Sequence, residues 1–223
     1  MASYQLDFSG IAGYIPQFLS GTLLTAEIAA VVTVFGILTG IAGAIIRNSS
    51  HHGMLYKLWT GYVELIRNTP FIVQLFFIFF GLPQLGIQLS AEAAAIFALI
   101  VNLGAYATEI IRASLAVTPR GQWEACRVLG LSKAQAYVRV IIPPAISKVY
   151  PALVGQCVLV MLGSAVISQI SCEDLTYAAS YTQSITFLSL ESYMAATVLY
   201  LLLALLMRYA MLGIGRLLFK GAY

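Results

Sequence analysis

Few residues in this sequence are of a type that does chemistry, and those that are stand apart from one another in strongly apolar surroundings. Glu27, Asn102, Glu109 and Ser164, the last beside Gly163, interrupt long apolar stretches. A polar group inside a bilayer is costly, so such residues mark a path for a polar solute or a specific helix contact. Asn102 and Glu109 are seven apart and share one helix face about two turns long. Glu109 and Arg112, three apart, either neutralise each other or leave Glu109 to touch a ligand. Glu27 has no partner in its own stretch and is free to meet a cationic group or a neighbouring helix. Gln156, Gly163, Ser164 and Gln169 are candidates for a pathway wall.

None of these groups is arranged for making or breaking bonds. His51 and His52 are adjacent, which excludes HExxH zinc chemistry, and none of the lysines Lys57, Lys133, Lys148 and Lys220 follows a glycine, so the phosphate-binding GxxxxGK[ST] loop is absent. Cys126, Cys157 and Cys172 are too few and too far apart for a disulfide framework or a CxxC metal site. The chemistry on offer is hydrogen bonding and charge along a route, with no cofactor or metal held by this chain.

The elements that must carry these residues follow from composition. The chain has 223 residues, 60% apolar and 9% charged, against roughly 45–50% and 25% in a soluble domain. Mean hydropathy is +0.88, too high for a core that must be covered in water. The net charge of +3 excludes the basic footprint of a nucleic-acid binder. A bilayer core needs about 20 apolar helical residues per crossing, and five stretches supply them: Leu19 to Ile46, Tyr56 to Leu82, Ala91 to Val117, Ala145 to Ile170 and Tyr193 to Leu218. The expected fold is all-α and membrane-embedded, with an N-terminal segment 1–18, a helical domain 19–218 and a tail 219–223.

Charge sets the orientation. Arg47, Lys57, Arg67, Arg112, Arg120, Arg127, Lys133, Arg139, Lys148, Arg208, Arg216 and Lys220 all fall on one side of a five-span layout, whereas the opposite segments carry Asp7, Glu92, Glu173, Asp174 and Glu191 and no Lys or Arg. The positive-inside rule puts the N-terminus outside and the C-terminus in the cytoplasm. Met1 to Gly10 lacks Lys and Arg, hence the charged region of a cleavable signal peptide, and the chain reads as mature. Gly36, Gly40 and Ala44 form a small-residue stripe for close helix approach, within the chain or to a second copy. Asn68-Thr69-Pro70 reads as a cap with proline at the first helical position, so Phe71 to Leu82 starts a fresh or kinked helix. Glu64 and Arg67 are spaced to pair.

The segment Thr118 to Pro144 predicts two short helices. Thr118 caps the first with Pro119 at its first position, Gly130 stops it in the left-handed region, Ser132 and Gln135 box the second, and Pro143-Pro144 ends or kinks it. Trp123, Cys126 and Leu129 fall on one face. Beyond the fourth stretch, Ser171 with Asp174 predicts another capped short helix, whose Glu173 and Asp174 are available to a soluble protein.

Three motifs resemble one family. Glu124-Ala125-Cys126, Gly130 and Val140-Ile141-Ile142-Pro143 are similar in spacing to the EAA loop of ABC importer permeases, with Cys126, Val140 and Ile142 as departures. Glu64 to Phe77, followed by Phe80-Gly81-Leu82-Pro83, resembles the second-span signature of permeases for polar amino acids and opines. Asn102-Leu103-Gly104-Ala105-Tyr106 through Glu109 and Arg112 into Gly121-Gln122-Trp123-Glu124 is the third. The resemblance implies a type I ABC importer permease subunit of the bacterial inner membrane, itself no enzyme. Its EAA loop would couple through Gln122, Trp123, Glu124, Ala125, Cys126, Arg127 and Gly130 to a partner ATPase that holds ATP and Mg. Implied partners are a second permease, two ATP-binding subunits and an extracytoplasmic solute-binding protein, with a polar or basic amino acid or an opine-like solute as cargo. Leu162-Gly163-Ser164-Ala165-Val166 lacks the charged stretch many amino-acid permeases carry there, which favours a paralogous partner permease over a homodimer. A self-sufficient secondary transporter or channel is the rival reading, although no inverted repeat or ring of charges supports it.

Overall fold

A computed structural model describes residues 6–48 and 53–219, which are helical with no strand among them. Four helical stretches are long and apolar enough to cross a membrane: Ser9–Arg47, Ala91–Ala116, Lys133–Ile170 and Ser189–Leu218. A fifth exists if the broken pair Met54–Arg67 and Phe71–Leu85 is one span. The helices are α1 (Ile15–Arg47), α2 (Met54–Arg67), α3 (Phe71–Phe76), α4 (Ala91–Ala116), α5 (Arg120–Val128), α6 (Lys133–Gln135), α7 (Ile142–Gly163), α8 (Leu175–Thr186) and α9 (Ser189–Leu218). His51 and His52 lie outside the described residues.

Several local expectations need correction. At the break after α2, Pro70 precedes α3 and is not its first residue. Asn68 and Thr69 close α2 instead: the Asn68 side-chain amide donates to the Glu64 carbonyl at 2.7 Å and the Thr69 hydroxyl to the Leu65 carbonyl at 2.8 Å. Glu64 and Arg67 do not pair, because the Glu64 carboxylate accepts from Asn68 and the Arg67 guanidinium sits 5.7 Å over the Tyr106 ring, a cation–π contact. Pro119, not Thr118, is the N-cap of α5 and offers no side-chain acceptor. Pro143-Pro144 does not end the second short helix. A π-helical turn over Ala136–Ile141 joins α6 to α7, and its wider coil accommodates rings that would press on the carbonyls one turn back. The second half of the predicted elbow is therefore the start of the fourth span. Ser171 does not cap α8; it takes a left-handed φ of 61°, and Asp174 is the N-cap, accepting from the Tyr177 N–H at 2.8 Å.

The chain folds as two compact units. The first contains the described residues up to Val32, with Phe71–Leu99 and Val158–Met207. Its core joins Phe18 to Leu175, Ala178, Ala179 and Ala196, and Ala29 to Met161 and Leu203. The buried Thr25 hydroxyl accepts from the Leu175 N–H at 3.2 Å, and the Asp7 N–H donates to Glu191 Oε1 at 3.0 Å. The second unit contains Thr33–Pro70, Ile100–Cys157 and Arg208 onward. Ala44, Ala107, Ile111, Leu115, Ile141, Ala145 and Leu153 form its main cluster, beside Val63, Ile66 and Ala105. The small-residue stripe works inside the chain: a Cβ on Gly36 would meet the Leu103 side chain, and one on Gly40 would meet Ala107.

Candidate coupling site

Helix α5 is short, and its two faces have different fates. Cys126 is buried at 3% exposure. Trp123 packs on the second unit's main cluster and meets the Tyr137 ring edge-on at 5.0 Å. Glu124, Ala125 and Arg127 are exposed and Gln122 is half-buried. Leu129 is 73% exposed and does not share the face of Trp123 and Cys126, because it is the C-cap where the helical path ends. Val128, 87% exposed, is a further apolar group on the open side that motif spacing did not single out. An apolar pair flanked by Glu124 and Arg127 is a surface suited to a protein partner.

The turn after α5 is rigidly specified. Gly130 has φ 68°; its N–H donates to the Arg127 carbonyl and the Leu131 N–H to the Cys126 carbonyl, each at 3.0 Å. This is the two-bond left-handed stop that glycine fits without strain. The expected capping box follows: the Ser132 N–H donates to Gln135 Oε1 at 2.9 Å and the Gln135 N–H to Ser132 Oγ at 3.3 Å. Trp123 of α5 and Tyr137 of the π turn pack against the cluster that holds Ala44 of α1, Leu115 of α4 and Ile141 before α7. Packed side chains transmit displacement instead of absorbing it, so a push on α5 reaches three span ends.

The candidate pathway residues divide between the units. In the second, Glu109 accepts from Arg112, as spacing predicted, at 3.1 Å to Nε and also through Nη2. Arg47 Nη1 lies 2.5 Å from the other Glu109 oxygen. Sequence spacing could not find that partner, 62 positions away. Glu109 is thereby committed to two cations. Asn102 is buried on the same helix, α4. In the first unit Glu27 and Gly163 are exposed, while the buried Ser164 hydroxyl donates to the Met161 carbonyl at 2.6 Å.

Asp174 is buried and so cannot meet a soluble protein as expected, whereas Glu173 is exposed. The Tyr200 hydroxyl donates to Asp174 at 3.1 Å and also contacts Thr176. Burial, opposed by these hydrogen bonds, pushes the Asp174 carboxyl up to about 6. Between the ordinary carboxylate pKa of 3.8 and 6, the folded state holds a proton that the unfolded state has released. Stability is then greatest below the unfolded value and falls as pH rises through 6, by about 3 kcal/mol in total at 1.36 kcal/mol per unit. We expect Asp174→Asn, whose amide oxygen still caps α8, to flatten thermal stability between pH 4 and 7 in detergent; an unchanged profile would assign that slope elsewhere.

Comparison with known proteins agrees with this geometry. Residues 16–218 match the family described as binding-protein-dependent transport system inner membrane component. The arginine transport system permease protein ArtQ of Bacillus subtilis is 31% identical over 205 residues, 92% of this chain and 93% of that protein. The nopaline transport system permease protein NocM of Agrobacterium fabrum is 30% identical over 206 residues, 88% of this chain and 85% of its own. A crystal structure of an amino acid ABC transporter with histidines superposes with a TM-score of 0.83 at 35% identity, covering 96% of this chain and 99% of that one. These matches favour a permease subunit and lend no support to a self-sufficient secondary transporter or channel. The chain belongs to the family of inner membrane components of binding-protein-dependent transport systems.

Proposed function

We propose that this permease forms half of the route of an ATP-driven importer for a polar, above all basic, amino acid or an opine-like solute. The observation that carries the reading is α5: one face packed through Trp123 on the second unit's main cluster, the other open with Glu124, Ala125, Arg127, Val128 and Leu129. A partner ATPase that binds the open face differently in its two nucleotide states biases the two states of the spans. ATP and Mg reside on that partner, and this chain supplies no cofactor. Glu124 anchors the contact, Gly130 holds the turn, and Trp123, Cys126 and Gln122 carry the motion inward. ATP binding drives the outward-open state.

The remaining partners are a second permease, paralogous or identical, a second ATPase subunit and an extracytoplasmic binding protein. The sidedness of Lys and Arg supports an N-terminus outside and a C-terminus in the cytoplasm. The solute class is supported by the names of the arginine and nopaline relatives. The test is proteoliposome uptake with the partner ATPase and binding protein, offering labelled arginine. Glu124→Lys is expected to lower uptake at least about ten-fold, a loss of about 1.4 kcal/mol of coupling, while leaving basal ATP hydrolysis in place. Uptake at the unsubstituted rate would remove Glu124 from coupling. Failure of the binding protein to hold arginine or an opine would remove the solute class but not the mechanism.

A further inference from the structure

We propose that a cavity behind α5 seats the phosphate of an anionic phospholipid. The cavity, about 630 Å³, lies within the second unit, between the last turns of α1 and α4 and the segment from α5 to the π turn. Its rim carries Arg120, Arg127 and Lys133, and its apolar wall includes Ile45, Leu115 and Ala136. Among the described residues no carboxylate lines it. The ion pairs among the described residues are those of Glu109 with Arg47 and Arg112, so none of the three rim cations is held in an ion pair, and Glu124 is the one carboxylate that shares α5 with Arg120 and Arg127. Three like charges around one space repel each other, and an anion relieves that repulsion.

The wall decides which anion. Ile45 and Leu115 stand in the last turns of helices long and apolar enough to span a bilayer, at the end to which the sidedness of Lys and Arg assigns the cytoplasmic leaflet. An inorganic anion would use the rim and gain nothing from the wall; a phospholipid uses both, its phosphate on the cations and its first methylenes on Ile45 and Leu115. Basic pockets between span ends are suited to anionic headgroups. A lipid seated there would also prop the inward face of Trp123, a wall residue of the same cavity, and so set the resting position of α5. The complex used rests on the proposed ATPase partner, but lipid binding is read separately from transport, since it is measured with neither ATP nor solute present.

The experiment is native mass spectrometry of the intact permease–ATPase complex in detergent, titrated separately with dioleoyl phosphatidylglycerol, dioleoyl phosphatidylcholine and inorganic phosphate. The variants use Arg120 and Lys133, which lie outside the proposed coupling surface. Phosphatidylglycerol is expected to bind more tightly than phosphatidylcholine, and Arg120→Gln/Lys133→Gln to weaken it about 30-fold, from about 1 kcal/mol per cation. Arg120→Lys/Lys133→Arg should keep the affinity, as should Lys57→Gln/Lys148→Gln, whose positions are exposed elsewhere. Equal loss in the Lys57/Lys148 control, no loss in the Arg120/Lys133 variant, or inorganic phosphate binding as tightly as the lipid would each overturn the proposal. So would loss of the ATPase subunit from the Arg120/Lys133 variant with phosphatidylglycerol retained, which would give these cations to the protein partner.

Discussion

Glu109→Leu is expected to destabilise the protein by about 3–5 kcal/mol, the range for leaving a buried ionic partner uncompensated. Glu109 lies between Arg47, whose side chain is 10% exposed, and Arg112 of its own helix; its own side chain is 23% exposed. Arg47 Nε is buried and has no hydrogen-bond partner, so Nη1 to Glu109 is the contact that holds this guanidinium. Leucine fills much of the space but leaves two cations facing each other at the ends of apolar helices. Removing Arg47 as well should cost less than the two single changes added together, because the uncompensated charge goes with it. The measurement is a set of thermal melts in detergent for Glu109→Leu, Arg47→Leu and the double variant. Additive losses would show that Arg47 and Glu109 do not act as a pair. Uptake by the surviving Glu109→Leu protein, measured per folded complex, also separates two roles: a packing residue leaves solute affinity unchanged, whereas a ligand contact does not.

What was legible in the sequence was whatever depends on local spacing. Gly130 as a left-handed stop and Ser132 with Gln135 as a box are set by backbone geometry within six residues, and both stand. The apolar runs place the third and fifth spans to within about four residues, because a bilayer sets a minimum apolar length, but the first and fourth helical stretches begin at Ser9 and Lys133, well before Leu19 and Ala145. Pro143-Pro144 signals an end only if the coil stays α-helical, and the π turn over Ala136–Ile141 removes that premise.

The site was legible as a motif but not as a surface. Motif spacing picked out Trp123 and Cys126 together with Glu124 and Arg127, without distinguishing the pair that faces the chain's own core. Which face is inward depends on where Ala44, Leu115 and Ile141 arrive from distant segments, and no local pattern encodes that. The same limit hid Arg47 from Glu109 and Tyr200 from Asp174. It also explains Ser171, a sound capping residue by type that lost the position to Asp174 because its own backbone is left-handed.

The stripe Gly36, Gly40 and Ala44 makes the second large prediction, since it decides how closely α1 approaches α4. A Cβ on Gly40 would collide with the Ala107 methyl and come within 3.0 Å of the Ala107 carbonyl carbon and 3.1 Å of the Thr108 nitrogen. A side-chain tip can swing aside, but a helix backbone cannot, so Gly40→Ala must push α1 outward along its contact with α4. Overpacking of this kind costs about 1–3 kcal/mol, and Gly40→Val, with two more methyls directed at the same backbone, should exceed Ala. Gly43 is under similar constraint from the Trp59 indole and the Thr108 hydroxyl, groups already within 3.4 Å of each other. Ala107→Gly is the diagnostic partner. It removes the methyl that collides first but leaves the backbone contacts, so Gly40→Ala/Ala107→Gly should recover part of the lost stability and not all of it. Full additivity of the two changes would mean that the α1–α4 approach at Gly40 is looser than the structure has it, and that the stripe serves a contact outside this chain.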